Sequence, residues 1–240
     1  MEEYKGTPQL VISQWRQATP QETMCCSFIP TLGQEKIKEI WEAVITAVES
    51  YITDPDYRKV VEAILKDNCQ AFCHCPGGRS NHHDYIGGLL NHSYGTLMCA
   101  IETSKLYNLG DKSLLAAGAI LHDIGKLQDY TYAGVSIQYT FNINMLGHLT
   151  SGVILVAQYC KDLGIPEDKA KKLLHMLASH HGELAKGSPV EPKLPEAMIL
   201  HMADYNDAVC DMLVQARDKK TGSDGWSEYL KMIGRKFYFV

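Results

Sequence analysis

Two short stretches hold residue types that could do chemistry together. In AAGAILHD an apolar, helical run ends on His122 and Asp123. A carboxylate at the C-terminal end of a helix meets the negative end of the helix dipole, so Asp123 needs a cation there. Gly125 just beyond is a helix stop, and where the helix breaks the neighbouring imidazole and carboxylate can both reach one metal ion. In ILHMADYNDA, Asp204 lies among Ile199, Leu200, Met202 and Ala203. An unpaired carboxylate is costly to bury in such a stretch, and a cap is not needed in mid-helix. Imidazole combined with carboxylate suits Zn, Mn, Fe or Ni rather than Ca. Of the ten histidines, His82, His83, His92, His122, His148, His180 and His181 fall near expected helix ends or beside glycines. Any one of them alone is more often a satisfied core residue than a ligand. Beside two costly aspartates, they point to a metal centre.

The order His92, His122-Asp123, Asp204 resembles the H…HD…D signature of the HD superfamily of metal-dependent phosphohydrolases, and the run HDIGK (His122–Lys126) carries the same resemblance. Further segments are similar to a subset of that superfamily, the YhaM-type 3′→5′ exoribonucleases. They are HHDYIGGLLNH (His82–His92), Gly147-His148, SHHGELAKGSP (Ser179–Pro189) and PEAMILHMADYNDA (Pro195–Ala208). The resemblance runs from about residue 34 to the C-terminus. Residues 4–18 resemble the last strands of the OB-fold domain that precedes the HD domain in those enzymes. OB-folds supply base stacking and a groove for single strands. With most of that domain absent, two readings stand: a shortened relative acting on short oligonucleotides, or a chain incomplete at its N-terminus.

The resemblance implies that His92, His122, Asp123 and Asp204 bind a first ion. It implies that Asp123 bridges to a second ion held by His148, His180 and His181. One or two divalent ions are expected, from among Mn, Fe, Zn, Ni and Mg, with Mn favoured. Lys126 lies one turn past the ligand pair, and a cation there can contact a non-bridging phosphate oxygen in the transition state. Asp123 and Lys126 are thus the expected catalytic residues. Arg79 and His83 precede the helix bearing His92, in a stretch that faces substrate in the family. Either could bind phosphate, or both could sit in a surface loop. Glu183 could orient a ligand histidine, and Asp207 is a supporting candidate or simply solvated.

The positioning elements are mostly helices. Ile37, Ile40, Trp41, Val44, Ile45 and Val48 form an amphipathic stripe from Gln34 onwards. Asp54-Pro55 opens a second helix carrying Val60, Val61, Ile64 and Leu65. Residues 68–82, rich in Cys, Gly and Asn, read as a loop. Further helices are expected over about 85–107, from a Ser113 cap to His122, and over 147–161, 166–180 and 195–216. Residues 128–146 could hold a short hairpin, and residues 225–240 read as a short helix with an aromatic tail. Near the N-terminus, Leu10, Ile12 and Trp15 alternate with polar residues, which predicts a strand within 4–18. It must dock on the body, pair with another copy of the chain, or belong to a larger β domain. The expected fold is therefore all-α, an HD-type helical bundle with a short N-terminal β-strand segment. The division is 1–33, strand and linker, and 34–240, the phosphohydrolase domain.

The 240 residues are 45% apolar and 21% charged, an ordinary globular composition. No apolar run approaches the roughly 18 residues of a membrane span, and the start MEEYKGTPQ lacks a secretory signal, so the cytoplasm is expected. In that reducing compartment the eight cysteines are thiols or ligands. Cys99, Cys160 and Cys210 read as small buried residues. Cys69, Cys73, His74 and Cys75 could suggest zinc, but their spacing is not a finger pattern. The net charge of −5 argues against a broad nucleic-acid-binding face while allowing a local one. The expected activity is that of a metal-dependent phosphodiesterase resembling a 3′→5′ exoribonuclease, hydrolysing RNA or single-stranded DNA to mononucleotides. The alternative is a nucleotidase or cyclic-nucleotide phosphodiesterase acting on a small nucleotide. A non-catalytic nucleic-acid-binding module fits less well, because all the proposed ligands are present.

Overall fold

The computed structural model describes residues 2–4, 7–9, 11–17, 19, 28–80, 82–132, 136–218 and 225–239. It is built of helices: α1 (Gln34–Tyr51), α2 (Pro55–His74), α3 (Gly88–Tyr107), α4 (Lys112–Leu121), α5 (Phe141–Met145), α6 (Gly147–Asp162), α7 (Glu167–Ser179) and α8 (Pro195–Asp218). Strand β1 (Glu2–Tyr4) pairs antiparallel with β2 (Thr7–Gln9), and β3 (Tyr130–Thr131) with β4 (Gln138–Tyr139). Among the described residues no helix is long and apolar enough to cross a membrane.

Helix α4 is the axis of the bundle. Every residue from Ser113 to Leu121 is buried, as expected of a helix that is apolar all round and surrounded by others. It packs on α3, α8, α2 and α7, so its C-terminal end delivers His122 and Asp123 into the interior. Asp111 caps it, with Oδ1 accepting from the backbone N–H of Ser113 at 2.8 Å and of Leu114 at 3.3 Å. Ser113, expected to be the cap, instead accepts at its Oγ from the backbone N–H of Thr53 and of Asp54. It thereby ties α4 to the α1–α2 corner.

Helix α2 runs on through residues 68–74, where a loop was expected. The apolar face that starts at Val61, Ile64 and Leu65 continues to Phe72, which is fully buried, and Cys73. Helical spacing outweighs the loop-like composition until Pro76-Gly77-Gly78. Phe72→Ala should therefore cost about 3–5 kcal/mol, the usual price of emptying a buried aromatic site. Urea unfolding would check it, and a change below about 1 kcal/mol would mean that the last two turns contribute little. Burial pushes the thiols of Cys73 and Cys75 up to about 12, so they stay protonated, whereas the thiolate is the metal-binding form. None of the groupings of described residues that could hold a metal contains a cysteine.

Three other expectations differ from the structure. Within 4–18 the strands are the short pair β1–β2; residues 11–17 form no strand, with Ile12 and Trp15 exposed, and Leu10 lies outside the described residues. Residues 225–239 are a bridged hairpin, with Trp226 opposite Tyr238 and Leu230 opposite Arg235. Ser227 fixes it through both its N–H, donated to Phe237 O, and its Oγ, which accepts from Phe237 N–H. Cys160 is buried, but Cys99 is only half-buried and Cys210 is exposed on the outer face of α8. Lys169 also has a partner: its Nζ lies 2.6 Å from both Asp54 and Asp56, tying α7 to the start of α2.

Candidate functional site

Five elements converge on one buried cluster. His92 comes from the second turn of α3, His122 and Asp123 from the end of α4, His148 from the first turn of α6, His180 and His181 from the end of α7, and Asp204 from the middle of α8. His92, His122, Asp123 and His180 are essentially buried. Gly125 lies in the 3-10 turn that follows α4 and lets that turn approach α6 closely. A Cβ there would lie 2.0 Å from His148 O and 2.6 Å from Gly152 N.

The imidazoles are turned the same way. Nδ1 of His92 donates to Asp207 Oδ2 at 2.7 Å. Nδ1 of His122, His180 and His181 donates to the carbonyls of Ala119, Leu177 and Lys186 at 2.8, 2.7 and 2.9 Å. In a neutral ring this leaves the Nε2 lone pair facing the centre, the usual preparation of a metal-binding histidine. The Nε2 atoms of His92 and His122 are 3.1 Å apart, and those of His148 and His181 are 3.2 Å apart. Lone pairs repel at such distances unless a cation or a proton lies between them.

Asp123 divides the cluster. Its Oδ2 lies 3.4 Å from Nε2 of both His92 and His122. Its Oδ1 lies 3.5 Å from His148 Nε2 and 3.6 Å from His180 Nε2. Asp204 Oδ1 is 3.1 Å from His92 Nε2. Donors that share an ion at about 2.1 Å stand about 3.0–3.5 Å from one another, so the spacing fits. Asp123 Oδ1 and His180 Nε2 are buried and have no hydrogen-bond partner among the described residues, which is costly unless something else satisfies them. Groupings able to hold a metal include His92, His122 and Asp123; His122, His180 and Asp204; and His148, His180 and His181.

Electrostatics agree with an acceptor-rich centre. Burial works against ionising Asp123, yet Lys126 and His122 beside it hold the carboxyl well below its ordinary value. Burial similarly opposes ionisation of Asp204, but the hydrogen bond from His92 and the imidazoles around it override burial and hold the carboxyl well below its ordinary value. Burial also opposes charge on His92, but the Asp123, Asp204 and Asp207 carboxylates raise it well above the ordinary histidine value. In the metal-free protein a proton thus takes the place suited to a cation. Burial brings His148 down to about 3, keeping it neutral and able to donate its lone pair.

Lys126 is buried rather than solvated. Its Nζ lies 2.5 Å from Asp123 Oδ2 and donates to Gly77 O at 2.6 Å. It lines a cavity of about 450 Å³ that opens on Asp123, His148, His181 and Asp204. Arg79 lines the same cavity, its guanidinium 4.7 Å above the Tyr139 ring. His83, expected to face substrate, is directed elsewhere. Its backbone is left-handed, with φ of +48°, and its N–H is anchored on Asp211 Oδ2. The ring turns inward, with Nε2 donating to Asp207 Oδ2 at 2.8 Å, and His82 takes the cavity wall instead. Glu183 orients no histidine; it is exposed and paired with Lys186.

Asp207 is the supporting carboxylate, held between His83 and His92. Gly95 gives it room, since a Cβ there would come within 1.9 Å of Asp207 Oδ1. Asp207→Asn should weaken metal affinity about 10- to 100-fold, as losses of such partners do, while helical circular dichroism is unchanged. Titration with Mn would read this directly, and unaltered affinity would leave Asp207 a purely structural residue. Sequence reasoning named His82 only among the histidines, without a role on the cavity wall, and missed His201, Tyr205 and Met232, which also line the cavity. For His201 and Tyr205 a signal existed, because they flank Asp204 at positions that share its side of α8. For Met232 there was none.

The profile of the HD domain family matches residues 89–209, the span that contains every donor named above. This chain belongs to the HD family. Its HD relatives include the 3′-5′ exoribonuclease YhaM of Listeria welshimeri, 34% identical over 242 residues, covering 99% of this chain and 75% of the relative. The proteins of the same name from Bacillus licheniformis and Bacillus subtilis are 31% and 30% identical, each covering 98% of this chain and 74% of the relative. No solved structure matches. The HD span starts at the head of α3 and ends on α8, so it frames the cluster and leaves α1 and α2 as its packing support.

Proposed function

We propose that this HD protein is a metal-dependent 3′→5′ exoribonuclease that shortens single-stranded RNA to mononucleotides in the cytoplasm. The observation that carries the reading is the two-sided arrangement around Asp123. One oxygen faces His92 and His122, and the other faces His148 and His180. His92, His122, Asp123 and Asp204 would hold one ion, and Asp123, His148, His180 and His181 a second. Mixed imidazole and carboxylate donors suit Mn. Divalent ions at such a centre supply Lewis acidity for attack of water on a phosphodiester. The substrate strand comes from the names of the relatives, and the free cysteines suit a reducing compartment.

The chain's own side chains divide the remaining work. Lys126 keeps Asp123 ionised and presents a buried positive charge at the cavity wall, where charge on the phosphoryl oxygens grows in the transition state. Arg79, with its guanidinium over the Tyr139 ring, offers its fork to a phosphate further out. Residues 34–240 form the hydrolytic unit in this reading, since all the donors lie between residues 92 and 204.

The test is incubation of the purified protein with Mn and 5′-labelled single-stranded RNA, alongside mononucleotides and cyclic nucleotides. A ladder shortening from the 3′ end is expected. Intact RNA with hydrolysis of a small nucleotide would replace the exonuclease reading with nucleotide turnover on the same centre.

A further inference from the structure

The cavity wall has two chemically different parts. One carries cations: Arg79, Lys126 and Lys186. The other is the flank of α8 beside Asp204, where His201, Tyr205 and Ala208 follow at helical spacing and all line the cavity. Met232 of the 225–239 hairpin completes that part. A nucleotide has the same division, a charged phosphate beside an apolar, flat base.

Tyr205 and Met232 are each 49% exposed although both line the cavity beside buried ligand-type residues. An aromatic ring left half-open beside Asp204 is a surface a planar group can cover. Lys186 Nζ stands over one face of the ring, 5.8 Å from its centroid, so a base would take the opposite face. Tyr139 does not offer this. Arg79 lies over its ring, and Tyr130 stacks with it at 5.9 Å, so its faces are already used to hold the guanidinium.

We infer that Tyr205, with Met232 on the same cavity wall, is the stacking site for the 3′-terminal nucleobase of the RNA. The inference rests on the exoribonuclease reading and adds where the base goes. Stacking uses the π-face that every base has, so the site grips without selecting sequence. The flexible thioether of Met232 adapts to purine or pyrimidine alike. The C-terminal hairpin thereby becomes part of the substrate site.

The experiment uses the Mn-loaded protein and an RNA with 2-aminopurine at its 3′ end, joined through a non-hydrolysable methylene-phosphonate linkage. Stacking quenches 2-aminopurine fluorescence without any turnover. Wild type and Tyr205→Phe should quench it with similar affinity. Tyr205→Ala should bind about five- to a hundredfold more weakly, the range of lost base stacking, and Tyr205→Leu should lose quenching while keeping apolar bulk. Met232→Ala should weaken binding in the same direction. Wild-type quenching in Tyr205→Ala or Tyr205→Leu would overturn the inference, as would loss of quenching in Tyr205→Phe. The same RNA with an ordinary linkage separates the two claims. Quenching without shortening would leave the stacking site in place and remove the exonuclease activity. Shortening without quenching would do the reverse.

Discussion

Asp123→Asn is expected to abolish hydrolysis, by on the order of a thousandfold or more, and to strip the protein of bound metal while the fold persists. Asp123 is the residue whose two oxygens face separate imidazole groups, so one lost charge weakens both halves of the centre. The amide is nearly the same shape and its oxygen can still accept from Lys126, so the local packing is kept. Metal analysis of the purified variant and its circular dichroism would be read with its activity. A folded variant that retains full hydrolysis would remove Asp123 from the mechanism. A folded variant that retains full metal but no activity would place it in the chemistry and not in binding.

Lys126→Met should act differently. The metal is retained, and the rate falls about ten- to a thousandfold, as when a transition-state donor is removed. Stability should then depend on the metal. Lys126 and Asp123 are a buried pair at 2.5 Å, and removing one partner of such a pair costs about 3–5 kcal/mol because the other is left uncompensated. An ion at the centre would compensate Asp123, so the loss should be large without Mn and much smaller with it. Thermal unfolding with and without Mn checks this. A loss of bound metal equal to the loss of rate would make the lysine a scaffold residue that places Asp123 and the Gly77 carbonyl.

How much of this was legible in the sequence depended on whether a residue contradicted its surroundings. Asp123 and Asp204 stood out because carboxylates in apolar helical runs need a partner, and both lie in the buried cluster. The helices α1, α3, α4, α6, α7 and α8 followed from apolar periodicity and the proline and glycine at their ends. The choice between His82 and His83 was not legible. It turns on one left-handed backbone at His83, stabilised by Asp211, which is 128 residues away in the chain. Lys126 reads as a cation near the metal rather than a solvated lysine, but its burial was not legible, because nothing local reveals that the Gly77 carbonyl lies within reach of its ammonium group. The C-terminal hairpin was hidden for a related reason. Its pairing is set by Ser227 and Phe237 and by few other bonds, with no alternating apolar pattern to announce it. Asp111 displaced Ser113 as the α4 cap because a carboxylate and a hydroxyl two residues apart can both serve, and Ser113 had a second partner at Thr53.

The measurement that bears most directly on the central claim is the location of Mn in crystals of the protein by its anomalous scattering. The account predicts density about 2.0–2.3 Å from Nε2 of His92 and His122 and from the carboxylates of Asp123 and Asp204. A second peak is expected on the His148, His180 and His181 side of Asp123. Absence of Mn from this cluster at a concentration that supports RNA hydrolysis, or its appearance only elsewhere on the protein, would contradict it.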